Sequence, residues 1–85
     1  MQGWRAESLQ ELFDGPPGGY AHLPLKGEGM QWWIKTPAGD LGRLSKHEVV
    51  EHEDGTITVS PSILVSTPKG EAWHGFLERG IWREA

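Results

Sequence analysis

The chain has no cysteine. That excludes disulfide staples and thiolate zinc sites, and leaves stability to side-chain packing alone. No apolar run is long enough to cross a membrane, and Met1-Gln2-Gly3-Trp4-Arg5 does not resemble a signal peptide. The expectation is a complete soluble product of a reducing, cytoplasmic compartment. Positive charge is also scarce: eight Lys and Arg stand singly against twelve Asp and Glu, for a net charge of −4. Nucleic-acid binding draws most of its affinity from neutralising phosphates, so a patchless acidic chain argues against it. Stacking of exposed tryptophans on single-stranded bases is the one form of that reading to carry forward.

Eighty-five residues make a single domain. Five tryptophans enlarge its core, since each aromatic buries roughly 150–250 Å². Residues 4–13 place Leu9, Leu12 and Phe13 at helical spacing and predict the one helix. Asp14-Gly15-Pro16-Pro17-Gly18-Gly19 stops it, and 14–29 read as an irregular connector because Pro24, Gly27 and Gly29 break any period. From Met30 to the end, short β-branched and aromatic segments alternate with turn signals. The predicted fold is mainly β: an antiparallel meander of five to seven short strands over 30–85, twisted or partly closed, with one N-terminal helix packed on it.

Thr36-Pro37-Ala38-Gly39-Asp40 and Thr67-Pro68-Lys69-Gly70-Glu71 repeat one phrase. Proline presets the first central turn position and glycine supplies the left-handed residue, so each reads as a three-residue hairpin loop with a bulge. Their flanks differ, which argues against a duplicated domain. Leu77-Glu78-Arg79-Gly80-Ile81 reads as a third such loop, and Asp54-Gly55 as a two-residue turn.

These turns fix cross-strand pairs. Trp33 faces Arg43, Ile34 faces Gly42, Leu64 faces His74 and Val65 faces Trp73; the third loop sets Phe76 opposite Trp82, and the Asp54-Gly55 turn sets His52 opposite Ile57. One face of the C-terminal hairpins is then Ile63, Val65, Trp73, Leu77 and Ile81, the expected core. The other carries Ser62, Leu64, His74, Phe76 and Trp82 and needs a second cover. Where the helix does not reach, it is a contact patch. Ser60-Pro61-Ser62 marks an edge, a bulge or a crossing between sheets.

The candidate binding residues are therefore His74, Phe76 and Trp82, extended by Trp33 and Arg43, since aromatics with arginine anchor interfaces. The leading expectation is a non-enzymatic module that binds a protein partner or itself and uses no cofactor. The alternative is a small metal- or ligand-dependent enzyme in which His52 and His74 converge with Ser60 or Ser62. Histidine spacing offers that little support: His47 and His52 lie five apart, on opposite faces of a strand. No nucleophile elbow or phosphate loop is present, and Glu51-His52-Glu53-Asp54-Gly55 lacks the alternating ligands of a calcium loop.

Thr56-Ile57-Thr58-Val59-Ser60-Pro61-Ser62-Ile63, followed by Trp73-His74-Gly75-Phe76-Leu77-Glu78-Arg79-Gly80-Ile81-Trp82, resembles a family of small bacterial and prophage proteins of unknown function. That family shares a T-x-T/V-SPS-I stretch and a WHGF-x-x-x-G-x-W hairpin, and some members carry an automatic ammonia monooxygenase label. The likeness covers 30–85 and leaves the N-terminal segment unmatched. It implies a phage or prophage setting in a bacterial cytoplasm. Family cysteines suggestive of a metal site have no counterpart here, so neither metal binding nor the oxygenase label carries over.

Overall fold

A computed structural model describes residues 1–85. Eight strands and one helix follow in the order β1 (Trp4–Arg5), α1 (Leu9–Asp14), β2 (Gly19–Leu25), β3 (Gly29–Lys35), β4 (Leu41–Arg43), β5 (Glu48–Glu51), β6 (Ile57–Thr67), β7 (Gly70–Glu78) and β8 (Ile81–Glu84). They form two four-stranded sheets, β1-β2-β3-β4 and β5-β6-β7-β8. Every pairing is antiparallel except β1 with β2. The sheets do not close into a barrel.

The mainly β fold with one short helix is as the sequence predicts, but its first third is not. Trp4 and Arg5 form a strand, and the helix spans only Leu9–Asp14. Ser8 sets that start: its hydroxyl accepts from the Glu11 amide at 3.0 Å, a standard N-cap. The stretch expected as an irregular connector contains β2, paired with β3 from Tyr20↔Ile34 to Leu25↔Gly29. Its glycines do more than end a helix. A Cβ on Gly19 would stand 2.6 Å from Leu12 and 2.9 Å from the Trp4 indole, so bare backbone lets both side chains close on it.

One hairpin turns as expected and three do not. Across Pro37-Ala38-Gly39 the pairs Lys35↔Leu41, Ile34↔Gly42 and Trp33↔Arg43 form, with Gly39 at φ 94°. Ile63↔Gly75, Leu64↔His74 and Val65↔Trp73 also form, but the β6–β7 turn is the two-residue Pro68-Lys69 with Thr67 opposite Gly70, and a register shift between Val65 and Ser66 restores those pairs. The β7–β8 turn, however, is the two-residue Arg79-Gly80, with both φ positive (47° and 77°) and Glu78 opposite Ile81. The β5–β6 turn is the three-residue Glu53-Asp54-Gly55, closed by the His52 amide on the Thr56 carbonyl at 2.8 Å. The β5–β6 and β7–β8 loop lengths each shift register by one residue from the expected one, and a one-residue shift sends side chains to the opposite face. Leu77, not Phe76, therefore opposes Trp82. Ser60-Pro61-Ser62 is a bulge, where pairing skips from Val59↔Leu77 to Ile63↔Gly75.

The main core lies between the sheets: Tyr20 and Ile34 from the first, Ile57, Val59, Ile63, Trp73, Leu77 and Trp82 from the second, with Leu44. Trp73 and Trp82 meet edge to face, centroids 5.3 Å apart. A smaller cluster of Ala6, Leu12 and Ala21 lies beneath α1, with Trp4, Leu23 and Trp33 packed against it. The helix thus covers the outer face of the first sheet.

The N-terminal segment ties the two sheets together. Met1 and Gly3 bond β8 and its turn through Trp82 N–H to Met1 C=O (2.8 Å) and Gly3 N–H to Gly80 C=O (2.7 Å). Trp4 and Ala6 then donate to Gly18 and Tyr20 at the start of the first sheet.

Candidate functional site

The second sheet has no cover on its outer face. Along β7, Trp73, Gly75 and Leu77 point inward and are buried, so alternation sends His74, Phe76 and Glu78 outward. Their neighbours complete the surface: Leu64 opposite His74, Arg83 opposite Phe76, Ile81 opposite Glu78, and Val50 opposite Thr58. Leu64, Val50 and Ile81 are 52%, 48% and 47% exposed, a high figure for three branched aliphatics on one face. The Arg83 guanidinium lies 4.5 Å above the Phe76 ring centroid and donates to Glu78 at 3.0 Å. Next to Phe76 the Ser60-Pro61-Ser62 bulge opens a shallow groove of about 340 Å³, also lined by Thr58 and Glu78.

Polar side chains around the bulge are engaged with one another. His74 Nε2 and Ser62 Oγ are 3.0 Å apart, and His47 Nε2 donates to the Ser62 carbonyl at 3.0 Å. His47 Nδ1 is buried without a hydrogen-bond partner. At the other end of β6, Thr58 Oγ1 accepts from the Arg79 amide at 3.0 Å and lies 2.7 Å from His52 Nε2. With one lone pair committed to Arg79, the hydroxyl hydrogen is free to donate to a neutral His52.

Of the expected catalytic convergence, one pair forms and one does not. Ser62 meets His74, while His52 meets Thr58 instead and Ser60 has no histidine partner. The Ser62–His74 pair lacks what activates a serine: no carboxylate orients the other nitrogen of His74, whose side chain makes no second hydrogen bond. Nowhere do three His, Asp or Glu side chains gather with metal-binding geometry. The open concavity of about 390 Å³ lined by His52, Glu53, Asp54 and Arg79 mixes acids with a cation at a hairpin tip. There Asp54 Oδ1 accepts from the Thr56 hydroxyl (2.6 Å) and amide (3.0 Å), which hold its carboxyl below the usual range.

The five predicted binding residues separate into three places. His74 and Phe76 are on the uncovered face. Trp82 is not: the two-residue turn rotates it inward, where it is 2% exposed and its Nε1 donates to the Gly18 carbonyl at 2.8 Å. Trp33 and Arg43 are neighbours on the first sheet, away from that face, with Trp33 against the helix cluster and Arg43 turned to Glu28 at 3.4 Å. The five tryptophans, on which stacking to single-stranded bases would depend, are buried or half-buried.

Val50, Ile81 and Arg83 were missed as surface residues. A three-residue loop at Glu78-Arg79-Gly80 would put Ile81 in the core, and an exposed and a buried valine in a strand read alike, so Val50 carries no signal of its own. Comparison of the chain with family models, curated proteins and solved structures gave no match.

Proposed function

We propose that the chain is a non-enzymatic interaction module and that its contact surface is the outer face of β5–β8. One observation carries this reading. The helix covers the outer face of the first sheet, while the equivalent face of the second presents exposed Val50, Leu64 and Ile81, with Phe76 half-buried under Arg83. Exposed apolar side chains gathered on one uncovered sheet face mark a place where another molecule can sit. The groove beside Phe76 gives that surface relief, and Arg83 stacked on Phe76 supplies an arginine–aromatic anchor. The phage or prophage setting that the sequence resemblance implies belongs to the same reading, and makes a phage or bacterial host protein, or the chain itself, the partner to look for.

The test is capture on immobilised protein from a bacterial host lysate, with cross-linking of the chain alone in parallel. Leu64→Glu places a charge in the patch at a side chain that contributes little to the fold. Loss of the captured or cross-linked species from a variant with native circular dichroism is the expected result. Capture and cross-linking that both ignore Leu64→Glu and Val50→Glu would remove this face from the account.

A further inference from the structure

Resting on the interaction-module reading, we infer that the free edge of β6, from Ser62 to Thr67, takes an extended peptide segment of a partner as an added strand. β6 runs for eleven residues, whereas β5 accompanies it only from Ile57 to Ser60. Beyond that point β6 pairs on one side alone, with β7. The ladder determines which main-chain groups face the open side. His74 C=O accepts from the Ala85 amide at 3.0 Å, on the β8 side of β7. Leu64, opposite His74, therefore belongs to a non-hydrogen-bonded pair and points its N–H and C=O away from β7. Alternation turns Ser62 and Ser66 the same way, and the Ser62 carbonyl accepts from His47 Nε2 on that side at 3.0 Å. Leu64 and Ser66 are both exposed, and the N–H and C=O of each are directed at solvent.

Those groups specify the occupant. Main-chain donors and acceptors at the repeat of a strand are matched by another extended backbone, the basis of recognition by strand addition. Edge strands are ordinarily blunted by brevity, charge or proline. Here β1 and β4 have two and three residues, β5 carries Glu48 and Glu51, and β8 carries Arg83 and Glu84. Ser62-Ile63-Leu64-Val65-Ser66-Thr67 contains neither charge nor proline, and Pro61 and Pro68 bound it. A second copy is the wrong shape for this edge. Pairing Leu64 with Leu64 about a two-fold sets Ser66 of one copy against Ser62 of the other, where the His47 ring already sits. A partner segment avoids His47 by lying beside Leu64 to Thr67 and leaving at the hairpin tip. Its residue opposite Leu64 puts its side chain on the outer face beside that exposed leucine, so an apolar residue is preferred there.

Proline supplies the test, because it removes an N–H and is tolerated in a strand only where that N–H has no ladder partner. In the free chain the Leu64 and Ser66 amides should exchange with solvent rapidly, and those of Ile63 and Val65 slowly. The probe is a set of linear peptides selected from a random displayed library on the immobilised full chain. A selected peptide should slow exchange at Leu64 and Ser66. Ser66→Pro, folded by circular dichroism, should bind it about tenfold more weakly, and Leu64→Ala, which keeps the N–H, should lose less than Leu64→Pro. Slow exchange at both amides in the free chain overturns the inference, as does a library that yields no binder. A peptide that protects neither amide also overturns it. If binding or lysate capture is then still lost with Leu64→Glu or Val50→Glu, the module reading stands on the outer face without the edge; if nothing binds at all, both fall. Protection of the two amides that rises with the chain's own concentration would make a second copy the occupant and overturn the partner segment.

Discussion

Several single residues carry more of this structure than their size suggests. Gly75 is one: a Cβ there would fall on the Arg83 carbonyl and the Trp73 ring, both fixed by the β7–β8 ladder and the core. Gly75→Ala should therefore cost about 2–3 kcal/mol, the usual penalty for overpacking, read as a lower urea midpoint with unchanged slope. Asp54 is another, acting through pH. Its carboxylate is favoured in the folded state by the Thr56 hydroxyl and amide, so its folded pKa lies below its unfolded value. That contribution is complete above the unfolded carboxylate value and is lost as pH falls through the folded one. Asp54→Asn should accordingly flatten the acid limb of the stability curve below about pH 4 and leave its shape near neutrality unchanged. Tyr20 bounds the other limb: burial raises its phenol, so the stability it lends is present below about pH 10 and is lost above it.

At the scale of elements, what was legible in the sequence depended on whether local turn chemistry had one solution or two. Even the repeated phrase has two: Pro37-Ala38-Gly39 closes a three-residue loop, while Thr67 to Glu71 closes a two-residue one. Asp54-Gly55 and Arg79-Gly80 each allow a two- or a three-residue loop. The packing demand of Trp82 and Leu77 decides the second case, and no local signal reports it. Because a strand has period two, that single miscount moved Trp82 from surface to core and Ile81 the other way. Arg79 marks the consequence, since it is the one non-glycine residue with positive φ, at 47°. A type I′ turn prefers asparagine there, so Arg79→Asn should raise stability by about 0.5–1 kcal/mol, measured by thermal unfolding. The short helix gives the complementary case. Six residues cannot sustain a helix in isolation; it persists because Ser8 caps its start and Lys35 Nζ donates to the Phe13 and Gly15 carbonyls at 2.7 and 2.8 Å. Leu9 and Phe13 fit its period yet are 37% and 50% exposed, so periodicity identified a helix but only Leu12 as its buried anchor.

For the whole molecule the decisive element is the N-terminal segment, which local pattern disguised as the first turn of a helix. Trp4-Arg5 lacks a strand's length and alternation; what makes it a strand is that β2 and the β8 turn flank it in space. Met1 to Gly3 contribute three main-chain bonds to β8 and its turn: Met1 ammonium to Trp82 C=O, Trp82 N–H to Met1 C=O, and Gly3 N–H to Gly80 C=O. At about 1 kcal/mol net apiece, removing residues 1–3 should cost about 3 kcal/mol. Small domains hold only about 5–15 kcal/mol in total, so the loss is a large part of the reserve. The effect should be uneven as well. Trp82 anchors β8 to the first sheet through its indole bond to Gly18, and β8 carries Ile81 and Arg83 on the uncovered face. Amide hydrogen exchange on a chain lacking residues 1–3 should show protection falling first in β8 and at Gly18–Tyr20, with β6–β7 retained. If protection instead falls uniformly, the sheets are joined by their shared core rather than by this strap. A contact face that includes β8 would then depend on the whole fold and not on three terminal residues.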